Sequence, residues 1–168
     1  MSKTVTHIEV PKEWEPKDDY SSHRPALWLA VNESMSGPVA EFGCGEGSTS
    51  LLYDLCKHLG RSFYSFETNF EYASKYPCTI YIPDYKDIKS RLGVVFIDSA
   101  PGEERKILIK NHANSADVVV VHDTEPGCQN IYGITEVLND FMYRLDYYPE
   151  GIPGTTILSN FINVEEWI

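Results

Sequence analysis

Carboxylates and one imidazole recur in this chain at the ends of short apolar runs. Glu67 closes SFYSF, Asp84 follows TIYI, Asp98 closes GVVFI, and His122-Asp123 closes DVVVV. Ahead of them, VAEF runs straight into Gly43-Cys44-Gly45-Glu46-Gly47. A single acid after a strand is an ordinary solvated turn residue. Five successive runs ending in a glycine turn or an acid instead place polar groups outside the carboxyl ends of the strands, where an open α/β sheet binds its ligands.

Glycines 43, 45 and 47 let backbone approach a ligand and permit positive φ. A dinucleotide fingerprint would put its third glycine at position 48, which is Ser48, and a P-loop would need a Lys after Gly47. Pyrophosphate is therefore the weaker ligand. Glu41 precedes the turn and, buried beside it, would repel phosphate and attract an ammonium group. Glu67 lies 20 residues beyond Gly47, where an acid at the tip of the second strand accepts hydrogen bonds from ribose hydroxyls. A nucleoside carrying an amino-acid ammonium satisfies both acids. His122 suits a general base, because imidazole titrates near neutrality. A histidine packed at a strand end is the structural alternative.

The elements that must position these residues alternate. Apolar runs without strict alternation read as strands covered on both faces. Between them, ALWLAVNESM, STSLLYDLCKHLG, EERKILIKNHANSA and ITEVLNDFMYRL carry helical spacing. The predicted architecture is α/β, a Rossmann-like and mostly parallel sheet with helices on both faces. LDYY and TTILSN, joined by PEGIPG, are too close for a crossover helix, so the last strand is expected to be antiparallel. Residues 1–24 read as an N-terminal arm or lid, and 25–168 as a single ligand-binding domain. Thr124 to Gly133 reads as a loop, and Glu103, Glu104, Arg105 and Lys106 as the wet face or N-terminal charge complement of a helix.

Composition bounds the partners. The chain has 168 residues, 25 acidic against 14 basic, for a formal charge of −11. That balance argues against nucleic acid or an anionic membrane, which need clustered Lys and Arg. The 42% hydrophobic content suffices for a core. No apolar run approaches the roughly 18 residues of a membrane helix, and no signal peptide is legible, so a cytoplasmic location is expected. Cys44, Cys56, Cys78 and Cys128 lack zinc or disulfide spacing and read as reduced packing residues.

Taken together, VAEFGCGEGS, YSFETN, VVFIDSAPGEER and VVVVHDTE, in that order, resemble the motifs of the class I S-adenosylmethionine-dependent methyltransferases over roughly residues 20 to 160. By that likeness Glu41 and the backbone of Gly43, Cys44 and Gly45 would hold the methionine portion of S-adenosylmethionine. Glu67 would hold the ribose, and Asp84 with Tyr85 would border the adenine. Gly47, Thr68 and Asp98 would complete the cofactor's surroundings. His23 or Arg24 would reach the cofactor's carboxylate, with a surface ion pair as the alternative for Arg24.

The resemblance implies methyl transfer to a small hydroxylated acceptor, O-methylation being favoured, with Asp98, His122 and Asp123 as the catalytic set. A second hypothesis places Mg2+ or a similar divalent cation on Asp98, His122 and Asp123, as in some O-methyltransferases of this fold. Thr124 stands where catechol-type members carry Asn, and Glu125 is a substitute ligand. Two rival classes remain: another chemistry on the same scaffold, and a catalytically inactive module that kept the cofactor pocket. The arm and the surface tyrosines are compatible with a homodimer.

Overall fold

The computed structural model describes residues 2–168. Eight strands alternate with six α-helices: β1 Lys3–Val5, α1 Arg24–Glu33, β2 Val39–Phe42, α2 Thr49–Leu59, β3 Phe63–Glu67, α3 Phe70–Ala73, β4 Thr79–Tyr81, β5 Leu92–Ile97, α4 Arg105–His112, β6 Ala116–His122, α5 Pro126–Tyr132, α6 Thr135–Asn139, β7 Tyr143–Tyr147 and β8 Thr155–Ser159. They form one sheet in the order β1-β7-β8-β6-β5-β2-β3-β4. All pairings are parallel except those of β8, which lies antiparallel between β6 and β7. From β2 the chain moves outward through β3 and β4, then returns to place β5 on the other side of β2. The order therefore reverses between β2 and β5, the switch point where such sheets open a crevice.

Alternate residues of the strands feed two cores. Val39, Val94, Phe96, Val118 and Val120 pack with Leu27, Ala30 and Val31 of α1 and Leu52 and Cys56 of α2. Ala40, Phe42, Val95, Ile97, Val119 and Val121 pack on the opposite face with Leu108 and Ile109 of α4 and Val137 and Leu138 of α6. Two-sided burial explains the unbroken apolar runs. Gly60 ends α2 in the left-handed region, as its position after the apolar stripe implies.

Three segments differ from their sequence reading. The stretch 124–133 is not a loop throughout: Pro126 opens α5 in its first turn and Gly133 closes it in the left-handed conformation. The helix read over ITEVLNDFMYRL stops at Asn139, because Tyr143–Tyr147 finds backbone partners on both sides in β8 and β1. The helix after β5 begins at Arg105 behind a 3-10 turn, Gly102–Glu104. Residues 3–24 lie on the body: β1 extends the sheet beside β7, Ile8 and Trp14 enter the first core, and a 3-10 turn over Asp19–Ser21 leads into α1.

The turn after β2 is anchored from below by Glu41. Its carboxylate is fully buried and accepts from the hydroxyls of Ser48, Thr49 (2.9 Å) and Ser65 (2.7 Å). Burial pushes its pKa up to about 7 even against those three donors. A carboxyl raised in the fold stabilises most below its unfolded value near 4.5 and loses that contribution as pH rises through about 7. Glu41→Gln, isosteric and neutral, is expected to match the wild type near pH 5. By pH 8 it should exceed it by up to about 3 kcal/mol in urea unfolding. A difference that stays constant with pH would contradict a buried, titrating Glu41.

Candidate functional site

Gly43 leaves the tip of β2 at φ +95°, with its N–H donating to Phe66 O at 2.9 Å. A Cβ there would lie 2.5 Å from Asp98 O. Only glycine lets the turn press against the tip of β5, and this contact lies at the sheet's switch point. Gly47 is needed for another reason: a Cβ would meet Tyr20 O at 2.1 Å and the His23 ring at 2.9 Å. Gly45 has nothing within 4 Å of that position. Of the three glycines, one clears the neighbouring strand tip, one clears the N-terminal segment, and one faces open space.

Beyond the turn, Glu67 at the tip of β3 gathers the first cluster. Its Oε2 accepts from Cys44 N at 3.2 Å, and its Oε1 accepts from Asn69 N at 2.8 Å and from Tyr85 Oη at 3.3 Å. Thr68 N donates to the same Tyr85 hydroxyl at 3.4 Å. The Tyr85 ring itself is buried against Phe42, centroids 5.6 Å apart. Asp84 is occupied locally, capping its own turn through Lys86 N at 2.9 Å. Glu67, Thr68, Tyr85 and Cys44 thus meet at one point. Asp84 is not bonded to them, and Glu41 lies beneath the turn with its oxygens taken by hydroxyls.

The second cluster stands on the tips of β5 and β6. His122 Nδ1 lies 3.2 Å from Asp98 Oδ1 and 3.5 Å from Asp123 Oδ1, and its Nε2 lies 2.8 Å from Ser22 Oγ. Ser22 Oγ also reaches Asp19 O at 3.0 Å. Both ring nitrogens of His122 thus have hydrogen-bond partners. Burial opposes a charge on the ring, but the carboxylates of Asp98 and Asp123 outweigh it and raise the His122 pKa. Burial likewise opposes the Asp98 anion, yet His122 and Arg105 hold its pKa down at about 2. Asp123, at φ 55°, is the single non-glycine residue with positive φ among the described residues. Such strain is tolerated where surrounding bonds fix the residue.

Sequence reasoning missed Arg105. Read as part of a solvated charge run, it is 5% exposed, and its fork donates to Ser99 O, His122 O, Asp98 and Asp123. The residues on either side of it, Glu104 and Lys106, are far less enclosed, and only the spacing from the strand tip hinted at the difference. The neighbouring Thr124 hydroxyl accepts from Thr156 at 2.8 Å, and Glu125 accepts from Gly154 N at 2.8 Å and Cys128 Sγ at 2.9 Å.

The segment entering α1 straps the second cluster to the glycine turn. Among the described residues Arg24 makes no ion pair; its Nε donates to Gly47 O at 2.8 Å and its Nη2 to Glu46 O at 3.4 Å. His23 is buried against Phe96, centroids 4.8 Å apart, and edge-on to His122 at 4.7 Å. Burial pushes its pKa down to about 3, so the ring is neutral. Candidate ligand atoms of His23, Asp98 and His122 lie within 4.8 Å of one another.

No family model matches the sequence, and no curated protein matches it. Solved structures do match in three dimensions. An S-adenosylmethionine-dependent O-methyltransferase from Thermotoga maritima superposes with a TM-score of 0.62 at 7% identity, covering 82% of this chain and 64% of that one. Spermidine synthase in complex with the transition-state analogue AdoDATO gives 0.61 at 17% identity, covering 90% and 63%. A methyltransferase from Pyrococcus furiosus gives 0.55 at 16% identity, covering 92% and 89%. The chain spans somewhat less than two thirds of the first two proteins. The fold, with its reversed strand order and antiparallel last strand, is that of the class I S-adenosylmethionine-dependent methyltransferases.

Proposed function

We propose that the chain is an S-adenosylmethionine-dependent methyltransferase that transfers the methyl group to a hydroxyl of a small acceptor. The observation that carries this reading is the Glu67 carboxylate, joined to the glycine turn through Cys44 N and standing beside the switch point. A carboxylate there suits the paired hydroxyls of a ribose, and Gly45 leaves backbone open toward a ligand. The net charge of −11 and the acidic strand tips favour a cationic cofactor and a small acceptor over a nucleic acid.

S-adenosylmethionine, when bound, would supply an electrophilic methyl group on a sulfonium, its carbon–sulfur bond exchanged for a carbon–oxygen bond with a neutral thioether and the acceptor's hydroxyl proton released. The chain's contribution is mainly alignment of the two reactants. Asp98 and Asp123 are partly exposed at the strand tips, where a carboxylate oxygen accepts from an acceptor hydroxyl and sets its direction. His122 serves this site as a brace, because Ser22 and Asp98 already hold its two nitrogens. The proton leaves toward the carboxylate pair and solvent.

The arrangement does not fit a magnesium ion. A hard cation asks for about six oxygen ligands. Asp98 and Asp123 are both paired to Arg105, while Thr124 and Glu125 are committed to other partners.

Glu67→Ala is expected to weaken binding of S-adenosylhomocysteine by about 1.5 to 3 kcal/mol, read by calorimetry, as charged hydrogen bonds to the ribose are lost. Methyl-labelled cofactor incubated with the wild type and a pool of hydroxylated metabolites should yield labelled product. Absence of cofactor binding at millimolar ligand would remove the proposal, and unchanged affinity in Glu67→Ala would displace the ribose from this site.

A further inference from the structure

Two carboxylates on adjacent strand tips form a cation site in outline, and a side chain of this protein already fills it. Arg105 sends Nη2 to Asp98 Oδ1 and Nη1 to Asp123 Oδ2, each at 3.1 Å. Two further donors, Nε and the second N–H of Nη1, reach Ser99 O at 3.0 Å and His122 O at 2.8 Å, fixing the guanidinium to both loops. Tyr132 covers its face at 4.8 Å. That cover depends on Gly102, where a Cβ would meet the Tyr132 ring at 2.3 Å. The guanidinium is therefore held on its edge by four acceptors and on its face by an aromatic ring.

We infer that Arg105 is a built-in cation in the place a divalent ion would take between Asp98 and Asp123, and that it makes this strand-tip site metal-independent while positioning both carboxylates for the acceptor. The positioning role rests on the methyltransferase reading; the metal-independence does not. The physical case is one of charge and geometry. A divalent ion bound to these carboxylates would stand within a few ångströms of the guanidinium's positive charge, and their repulsion is strong where solvent is scarce. Arginine's planar fork spans two acceptors at once, whereas lysine offers a point charge. Unlike a metal, Arg105 does not acidify an acceptor hydroxyl by coordinating it. It orients the carboxylates toward that hydroxyl.

Mn2+ is the probe, titrated into the full-length chain and followed by electron paramagnetic resonance, with circular dichroism confirming the fold. The wild type is expected to show only weak binding that Asp98→Asn leaves unchanged. Arg105→Ala is expected to gain one Mn2+ per chain at least about tenfold tighter than the wild type, and adding Asp123→Asn should abolish that gain. Arg105→Gln, which keeps the stem under Tyr132, is measured in parallel. A wild-type stoichiometric site that Asp98→Asn removes would overturn the inference, as would folded Arg105 variants that gain no metal. If neither variant folds, the wild-type titration decides alone: a stoichiometric site overturns it and its absence supports it. The titration needs no cofactor or acceptor, so a failure of S-adenosylhomocysteine binding would be a separate result, striking the methyltransferase reading and leaving the metal result standing.

Discussion

The strand-tip site rests on the approach of Gly43 to the carbonyl of Asp98. A methyl group at Gly43 would lie 2.5 Å from that oxygen, so the turn after β2 and the tip of β5 meet only because position 43 has no side chain. Everything polar at this edge of the sheet is placed by that meeting. On one side, Cys44 N reaches Glu67; on the other, Asp98 reaches His122 and Arg105. The two clusters form one continuous rim across the switch point, and Glu41 underneath keeps the turn from drifting.

Electrostatics at the rim is divided. The Glu67 end gathers backbone N–H groups and a tyrosine hydroxyl, with no counter-cation among the described residues, and this leaves the carboxylate available to a ligand. The Asp98 end is balanced from within by Arg105 and by His122, whose raised pKa reflects the carboxylates around it. The strap from Tyr20 to Arg24 ties the Asp98 end to the glycine turn. It is fastened by Ser22 to His122 and by Arg24 to the carbonyls of Gly47 and Glu46. The N-terminal segment is thus wired to the chemistry-bearing tips.

Much of this was legible in the residues. The apolar runs ending in Glu67, Asp98 and His122-Asp123 are parallel strands of one sheet, as expected, and the short link before TTILSN does produce an antiparallel last strand. What could not be read depends on distant neighbours. Glu41 looked like an anchor for an ammonium group, but three hydroxyls saturate it; Ser48 and Thr49, directly after the turn, were the available sign. Arg105 hid in EERK because a charge run normally faces water, and only the curl of the 3-10 turn rotates it inward. Ser22 meets His122 across 100 residues of sequence, a pairing no local pattern announces. Pro126 and Gly133 did mark the ends of α5, and the polar composition between them obscured it.

Amide hydrogen exchange with and without S-adenosylhomocysteine tests the central claim most directly, since it reads where a ligand settles without a known acceptor. Protection concentrated in residues 43–48 and 67–69, with α4 and the C-terminal segment unchanged, is the expected result. Protection confined to other surfaces, or none at saturating ligand, would contradict the assignment of this rim as the cofactor site.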